Sequence, residues 1–303
     1  MAAAPALAIE ARGLTKDYGR IRALDELGLS VRVGEIFGYL GSNGAGKTTT
    51  IRCLLDLIRP TSGSARVLGL DSHLESIPVR RRTGYLPGDL RLYPNMSARH
   101  LLDYLGRLRG HIPRERIAAL AERLDSDLDQ RCGAMSHGQR QKVGLIQAFM
   151  HEPDLLILDE PTATLDPLMQ DAVHQLVREA REHGATVFLS SHDLTEVARV
   201  CDRAGILRMG RLVAVEDVTA LAEEGRHIVT FEFGEPVDAA EFQGLPGVAS
   251  VRTTGRTLTV DVSGDVDRVV KIAASHTVRN VRSTEVELDE VFRDYYKAGA
   301  DAG

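Results

Sequence analysis

Nine consecutive residues of this chain have the types and spacing needed to bind a phosphate chain. They match the pattern G-x-x-x-x-G-K-[ST] and are Gly41, Ser42, Asn43, Gly44, Ala45, Gly46, Lys47, Thr48 and Thr49. The glycines let the backbone curl so that successive N–H groups point inward at phosphate oxygens. In this pattern Lys47 can reach the β- and γ-phosphates, and Thr48 can ligate Mg²⁺. The alternative is a glycine-rich turn that contains Lys and Thr by coincidence.

The residues on either side of this loop favour the phosphate-binding interpretation. Residues 36–40 are a short apolar run that predicts a buried strand, and residues 49–58 carry apolar side chains at helical spacing. A strand followed by the glycine loop and a helix is the context that the motif requires. The sequence therefore predicts a nucleotide-binding α/β domain.

A second group of residues could supply the metal site and the base. Asp159 ends the run 154–159, which is typical of a buried parallel strand, and Glu160 follows it directly. At the carboxyl edge of the sheet Asp159 would hold Mg²⁺ through the water shell of the ion, and Glu160 would orient and polarise an attacking water. The alternative is two solvated acids at a strand end. His192, which follows the next strand, could contact the γ-phosphate or be an ordinary surface residue.

Composition restricts the class of protein. The chain has 303 residues, 43% of them hydrophobic and 26% charged, and its net charge is −6. These values predict a globular protein of two domains and disfavour a nucleic-acid-binding surface. No run of 18 apolar residues predicts a membrane span, and residues 1–9 lack the basic start of a signal peptide. Three widely spaced cysteines, Cys53, Cys132 and Cys201, suggest free thiols in the cytoplasm.

The chain divides into two predicted domains, residues 8–222 and 226–303. The first alternates strands and helices, which indicates a parallel sheet, and includes a helical block at about 90–150. The second has the order strand-helix-strand-strand-helix-strand of a ferredoxin-like α+β domain, including a predicted short helix over residues 237–242. A closing helix would carry on one face Leu288, Val291, Phe292 and Tyr295.

Two further segments resemble a known family. Residues 135–142 read Met-Ser-His-Gly-Gln-Arg-Gln-Lys, which is similar to the Leu-Ser-Gly-Gly-Gln signature of ABC-type ATPases. Residues 155–162 read Leu-Leu-Ile-Leu-Asp-Glu-Pro-Thr, as in the same family. The resemblance covers residues 8–220 in order and implies a P-loop ATPase domain with an inserted helical subdomain.

The resemblance also implies a role for each matching residue. Tyr18 would stack on adenine, Glu160 would be the general base and His192 the switch histidine, with Lys47 on the phosphates. Asp166 would lie in the loop that communicates between two ATP sites. The signature residues would contact the γ-phosphate of an ATP held by another subunit, and they are Ser136, His137, Gly138 and Gln139.

Several residues depart from the family pattern. Ser42 replaces a common proline, His137 the first signature glycine and Thr164 a usual glycine. The largest departure is Gly88, because the family normally has Gln or Glu there to contact Mg²⁺ and water. Either Asp89 or a water is expected to substitute.

Within the family, the chain resembles the ATP-binding subunits of drug exporters of the daunorubicin-resistance type. This resemblance implies ATP and Mg²⁺ as ligands and a second copy of the chain as the partner in an ATP sandwich. It also implies a separate polytopic permease on the cytoplasmic face of a bacterial membrane, contacted near residues 92–95. No nucleic-acid partner is expected. The alternatives are an ABC ATPase acting in translation or DNA repair, and a module that binds ATP without hydrolysing it.

Overall fold

The computed structural model describes residues 6–110, 112–218 and 226–285. These residues belong to two compact units, Met1–Glu216 and Asp217–Gly303. The predicted closing helix, with Leu288 and its neighbours, lies outside the described residues. No helix among the described residues is long and apolar enough to cross a bilayer.

An antiparallel sheet opens the first unit. Its four strands have the order β2-β1-β4-β5, with β1 Leu7–Tyr18, β2 Ile21–Arg32, β4 Ser62–Val67 and β5 Leu70–Asp71. β1 and β2 are both 12 residues long, and their hairpin continues to the pairing of Tyr18 with Ile21. This sheet packs its apolar face onto the core that the phosphate loop adjoins.

A six-stranded sheet of order β10-β9-β3-β8-β7-β6 forms the centre of the unit. Its bounds are β3 Ile36–Leu40, β6 Thr83–Leu86, β7 Leu155–Asp159, β8 Thr186–Ser191, β9 Arg203–Arg208 and β10 Arg211–Asp217. The pairs from β9 through β3, β8 and β7 to β6 are parallel, which confirms the predicted α/β core. All residues of β3, β7 and β8 are buried, and apolar side chains fill β3, residues 155–158 of β7 and residues 187–189 of β8. The polar residues Asp159, Ser190 and Ser191 stand at the carboxyl ends of β7 and β8.

Helices connect these strands. They are α1 Lys47–Leu54, α2 Ser76–Arg81, α3 Ala98–Leu108, α4 Arg114–Arg123, α5 His137–Phe149, α6 Pro167–Glu182 and α7 Leu194–Val200. Three of them, α3 to α5, follow one another between β6 and β7. The prediction of a helix to residue 58 was wrong at its end: α1 stops at Leu54, because Asp56 takes a left-handed conformation with φ 51°.

The second unit contains a separate antiparallel sheet of order β12-β13-β11-β14. Its elements are β11 Arg226–Phe233, β12 Val248–Thr254, β13 Thr257–Ser263, α8 Asp267–Ala273 and β14 Val278–Glu285. The predicted short helix over 237–242 is only a 3-10 turn, Ala239–Glu241, started by Asp238 accepting from the Ala240 N–H. Phe231, Phe233 and Phe242 are fully buried and form the core of this unit.

Candidate functional site

The phosphate loop lies between β3 and α1, and its glycines are required by its geometry. Gly44 and Gly46 have φ values of 81° and 114°, which side-chain-bearing residues rarely adopt. A Cβ on Gly46 would also lie 2.7 Å from the Ala23 carbonyl oxygen of β2. The following residue, Lys47, starts α1, so the loop ends at the helix N-terminus, where free N–H groups favour an anion.

Three predicted catalytic side chains meet beside this loop. Lys47 is 6% exposed, and its Nζ donates to the Gly41 carbonyl at 2.5 Å. The same Nζ lies 3.1 Å from Oε1 of Glu160. Nδ1 of His192 lies 2.6 Å from the other carboxylate oxygen of Glu160, Oε2. Glu160 therefore bridges the phosphate-loop lysine and the histidine of the following strand.

The second acid, Asp159, is held by hydroxyl groups. Thr48 Oγ1 donates to Oδ2 at 2.8 Å, and Ser190 Oγ donates to Oδ1 at 2.5 Å. Asp159 is 1% exposed. The pKa of the neighbouring Tyr85 is raised to about 12, first by burial of its own hydroxyl and second by the negative charge of Asp159. Hard oxygen donors such as Thr48 and Asp159 suit Mg²⁺, which takes one or two carboxylates together with substrate phosphates. The two residues fit the predicted metal.

Two residues of this network were not predicted from the sequence. Ser190 lies opposite Asp159 in the parallel register of β7 and β8, and its carbonyl and hydroxyl both accept from the Glu160 N–H. Gln141 of α5 donates to the carbonyls of Glu160 and Pro161 at 3.1 and 3.2 Å. The signal for Ser190 was available, because adjacent parallel strands end at one edge. Gln141 gave no such signal.

The unusual glycine at residue 88 lies directly against the metal-site acid. A Cβ at Gly88 would be 3.3 Å from Oδ2 of Asp159, so this is the place from which a longer side chain would reach the metal. Asp89 does not take that role in this state, because its side chain is 69% exposed and pairs with Arg91 at 3.2 Å. Substitution by Asp89 or by a water stays a prediction.

The signature residues form the start of α5. Ser136 is the N-cap, and its hydroxyl accepts from the Gln139 N–H while the Gln139 side chain accepts from the Ser136 N–H. This reciprocal pair is a capping box, which fixes the helix start. His137 is exposed. A Cβ on Gly138 would lie 3.0 Å from the Thr164 carbonyl, so the signature packs against the loop that precedes α6.

Asp166 and Tyr18 occupy separate positions. Asp166 caps α6 by accepting from the Met169 N–H at 3.1 Å. Tyr18 ends β1, is 46% exposed, and has Lys16 Nζ 5.1 Å from its ring centroid. Within the described ranges, no hydrogen bond or ion pair joins the signature, Asp166 or Tyr18 to the phosphate loop. Among the described residues, hydrogen bonds and ion pairs therefore link Lys47 and Thr48 of the phosphate loop with both acids and His192.

The sequence and fold were compared with known proteins. The family described as ABC transporter matches residues 24–163. The bacitracin transport ATP-binding protein BcrA of Bacillus licheniformis is 36% identical over 233 residues, covering 75% of each chain. The daunorubicin/doxorubicin resistance ATP-binding protein DrrA of Streptomyces peucetius is 33% identical over 306 residues, covering 95% of this chain and 92% of that protein.

The fold agrees with these sequence relatives. A solved structure of the ATP binding subunit of an ABC transporter superposes with a TM-score of 0.66 at 30% identity. It covers 71% of this chain and 91% of that chain. Relatives above 30% identity that align over most of both chains establish the family, and they confirm the predicted resemblance. The chain belongs to the ATP-binding proteins of ABC transporters and carries their ABC-type ATPase domain.

Proposed function

We propose that the protein hydrolyses ATP with Mg²⁺ and couples this reaction to export of a drug-like or antibiotic molecule through a separate membrane permease. The observation that carries the proposal is the meeting of Lys47, Glu160 and His192 beside the Thr48–Asp159 pair. Relatives named for bacitracin transport and for daunorubicin resistance support the choice of cargo.

Hydrolysis requires Glu160 and Lys47 to part. Their contact at 3.1 Å occupies both the lysine that should hold phosphates and the carboxylate that should accept a proton. When the triphosphate enters, Lys47 turns to the β- and γ-phosphates, and Glu160 is free to take a proton from the attacking water. His192, 2.6 Å from Glu160, orients that carboxylate and can hydrogen-bond the γ-phosphate.

Thr48 and Asp159 would hold the metal ion. Mg²⁺ held by these residues would neutralise negative charge on the phosphates. Ser190 keeps the Asp159 carboxylate in place through the bond to Oδ1, which leaves Oδ2 on the side of Thr48. Gly88 has no side chain to offer the metal, so Asp89 or a water would have to take the place of the usual Gln or Glu.

A second copy of the chain would complete each ATP site. The start of α5, with Ser136, His137, Gly138 and Gln139, presents helix N–H groups and a partial positive charge that attract an anion. In the described structure these residues make no hydrogen bond to their own phosphate loop. These signature residues would face the γ-phosphate bound by the partner. Asp166 would lie in the loop that communicates between the two ATP sites, and Tyr18 would stack on adenine.

An apolar cleft gives the permease a place to bind. The cleft has a volume of about 330 Å³ and lies between the end of α1, the segment after β6 and α3. Its lining includes Leu92 and Tyr93, two of the residues expected at this contact, and Tyr93 and Leu57 are exposed by 62% and 48%. Such exposed apolar side chains around a groove fit an inserted apolar segment of the permease. This contact would hold the protein at the cytoplasmic face of a bacterial membrane.

The remaining parts of the chain have proposed roles as well. Helices α3 to α5 would form the inserted helical subdomain that carries the signature. The sheet order β12-β13-β11-β14 supports a ferredoxin-like accessory domain over residues 226–303. This domain would regulate the protein, help it to dimerise, or stabilise it as a cap without a ligand.

The test uses the Glu160→Gln variant loaded with ATP and mixed with detergent-solubilised membranes of the source cell. This variant should stall in the closed dimer and retain its partner. Recovery of a polytopic membrane protein, absent with the Lys47→Ala control that cannot hold phosphate, supports transport. Recovery of ribosomes, DNA factors or the chain alone contradicts it. ATP turnover by the wild-type protein with its partner, lost in Glu160→Gln, tests hydrolysis separately.

A further inference from the structure

Glu196 is a buried acid for which the roles above provide no function. It lies in α7 and is only 7% exposed. Acids are rarely buried unless paired, because leaving water costs a carboxylate several kcal/mol. The partners that compensate this burial therefore indicate what the residue does.

Those partners belong to two different loops of the ATP site. Thr162 Oγ1 donates to Oε1 of Glu196 at 2.5 Å, and Ser191 Oγ donates to Oε2 at 2.5 Å. Thr162 follows Glu160 in the loop after β7, whereas Ser191 ends β8 directly before His192. One carboxylate thus ties together the segments that carry the base and the histidine.

The loops on both sides of this bridge lead to further site residues. From Thr162 the chain runs to Asp166, and Gln170 of α6 donates to the Thr162 and Leu165 carbonyls at 3.4 and 3.2 Å. On the other side Ser191 Oγ also accepts from the Asp193 N–H at 3.0 Å. The two hydroxyl-bearing residues that donate to Glu196, which together with it form the Glu196 bridge, are thus themselves hydrogen-bonded within their own segments.

A third group stands beside the carboxylate. Nε2 of His174 in α6 lies 3.5 Å from Oε1 of Glu196, and His174 is 5% exposed. This nitrogen has no hydrogen-bond partner among the described residues. Glu196 is consequently enclosed by Thr162, Ser191 and His174, and its two hydroxyl bonds are the contacts that fix its orientation.

We propose that Glu196 is a positioning residue that holds the base-bearing loop and the histidine-bearing loop in one register. A carboxylate can accept from both hydroxyls at once, whereas an amide offers one acceptor and one donor group. The bond between Glu160 and His192 depends on the relative position of these loops. This inference rests on the proposed ATP hydrolysis.

The test compares Glu196→Gln with Glu182→Gln, the same change at an exposed acid near the end of α6. Losing one hydrogen bond to a charged group predicts a fall in kcat of about tenfold or more. The Kd for ATP should stay within about twofold, because the phosphate loop is untouched. Glu182→Gln should leave both constants unchanged. Equal kcat values for Glu196→Gln and the wild type would overturn the proposal, as would a fall in ATP affinity that accounts for the lost activity.

Thr162→Val and Ser191→Ala each remove one side of the bridge and serve if Glu196→Gln does not fold. Each should lower kcat, and adding either to Glu196→Gln should lower it by less than the product of the single effects, because all three act through one bridge. Independent, multiplying effects contradict the bridge.

A readout that needs no turnover separates this inference from the proposed function. Hydrogen exchange of the backbone amides in residues 162–166 and 191–193 should become faster in both segments together in Glu196→Gln. A change in one segment only, or in neither, refutes the coupling. If exchange becomes faster in both segments of Glu196→Gln but the wild-type protein does not hydrolyse ATP, the proposed function is contradicted and the positioning role remains supported.

Discussion

Replacing Glu160 with glutamine should strengthen ATP binding while it abolishes turnover. In the described state Lys47 Nζ is 3.1 Å from Oε1 of Glu160, and the two side chains are only 7% and 21% exposed. ATP must displace this contact before Lys47 can hold phosphate. The variant removes the carboxylate charge that competes for the lysine, so binding becomes easier.

The size of the effect follows from the contact that is weakened. A hydrogen bond to a charged group contributes about 1.5–3 kcal/mol, and a charge-assisted bond is roughly twice as strong as a neutral one. The glutamine Oε1 still accepts from Lys47, so the variant loses about half, roughly 0.75–1.5 kcal/mol. This difference makes ATP bind about three- to tenfold more tightly. Removing repulsion between the carboxylate and the γ-phosphate acts in the same direction.

The assay is calorimetric titration with a non-hydrolysable ATP analogue, at a protein concentration low enough to keep the chain monomeric. Glu182→Gln, an exposed matched change, should bind like the wild type. Lys47→Ala should bind far more weakly than either. A Glu160→Gln variant that binds the analogue no more tightly than the wild type would refute the reasoning, since the Lys47 contact would then not compete with phosphate.

Three further changes test other parts of the structure. Ser190→Ala removes the donor to the metal-site carboxylate and should raise the Mg²⁺ concentration for half-maximal turnover by about tenfold. Gly84→Ala would overlap the carbonyl of Ala148 and should lower the free energy of unfolding in urea by about 1–3 kcal/mol, whereas Gly28→Ala, in open space, should not. Burial lowers the pKa of His151 from 6.5 to about 4. Between these two values the unfolded chain binds a proton at His151 that the folded chain does not. The free energy of unfolding should therefore decrease as the pH is lowered from about 6.5 to about 4, and it should decrease less steeply in His151→Gln.

The parallel core was predictable because its signals are local and strong. The apolar runs in β3, in residues 155–158 of β7 and in residues 187–189 of β8 are most stable in the middle of a covered sheet. Element ends were less predictable. Nothing in the apolar spacing of residues 49–58 shows that Asp56 will turn left-handed and end α1 at Leu54. The stretch 237–242 has helical spacing but forms one 3-10 turn, because nucleating a longer helix over so few residues is costly.

The site shows the same division between what a motif encodes and what the fold adds. The sequence placed Lys47 and Glu160 at one sheet edge, but their direct contact depends on the relative height of two loops that are 113 residues apart in the chain. The burial of Glu196 could not be predicted for a similar reason. A single acid in a helix is normally expected to face solvent, and only the packed structure shows that two hydroxyl groups from other elements donate to it. Because motifs record the groups that contact substrate, the residues that set distances between those groups must be read from the packed structure.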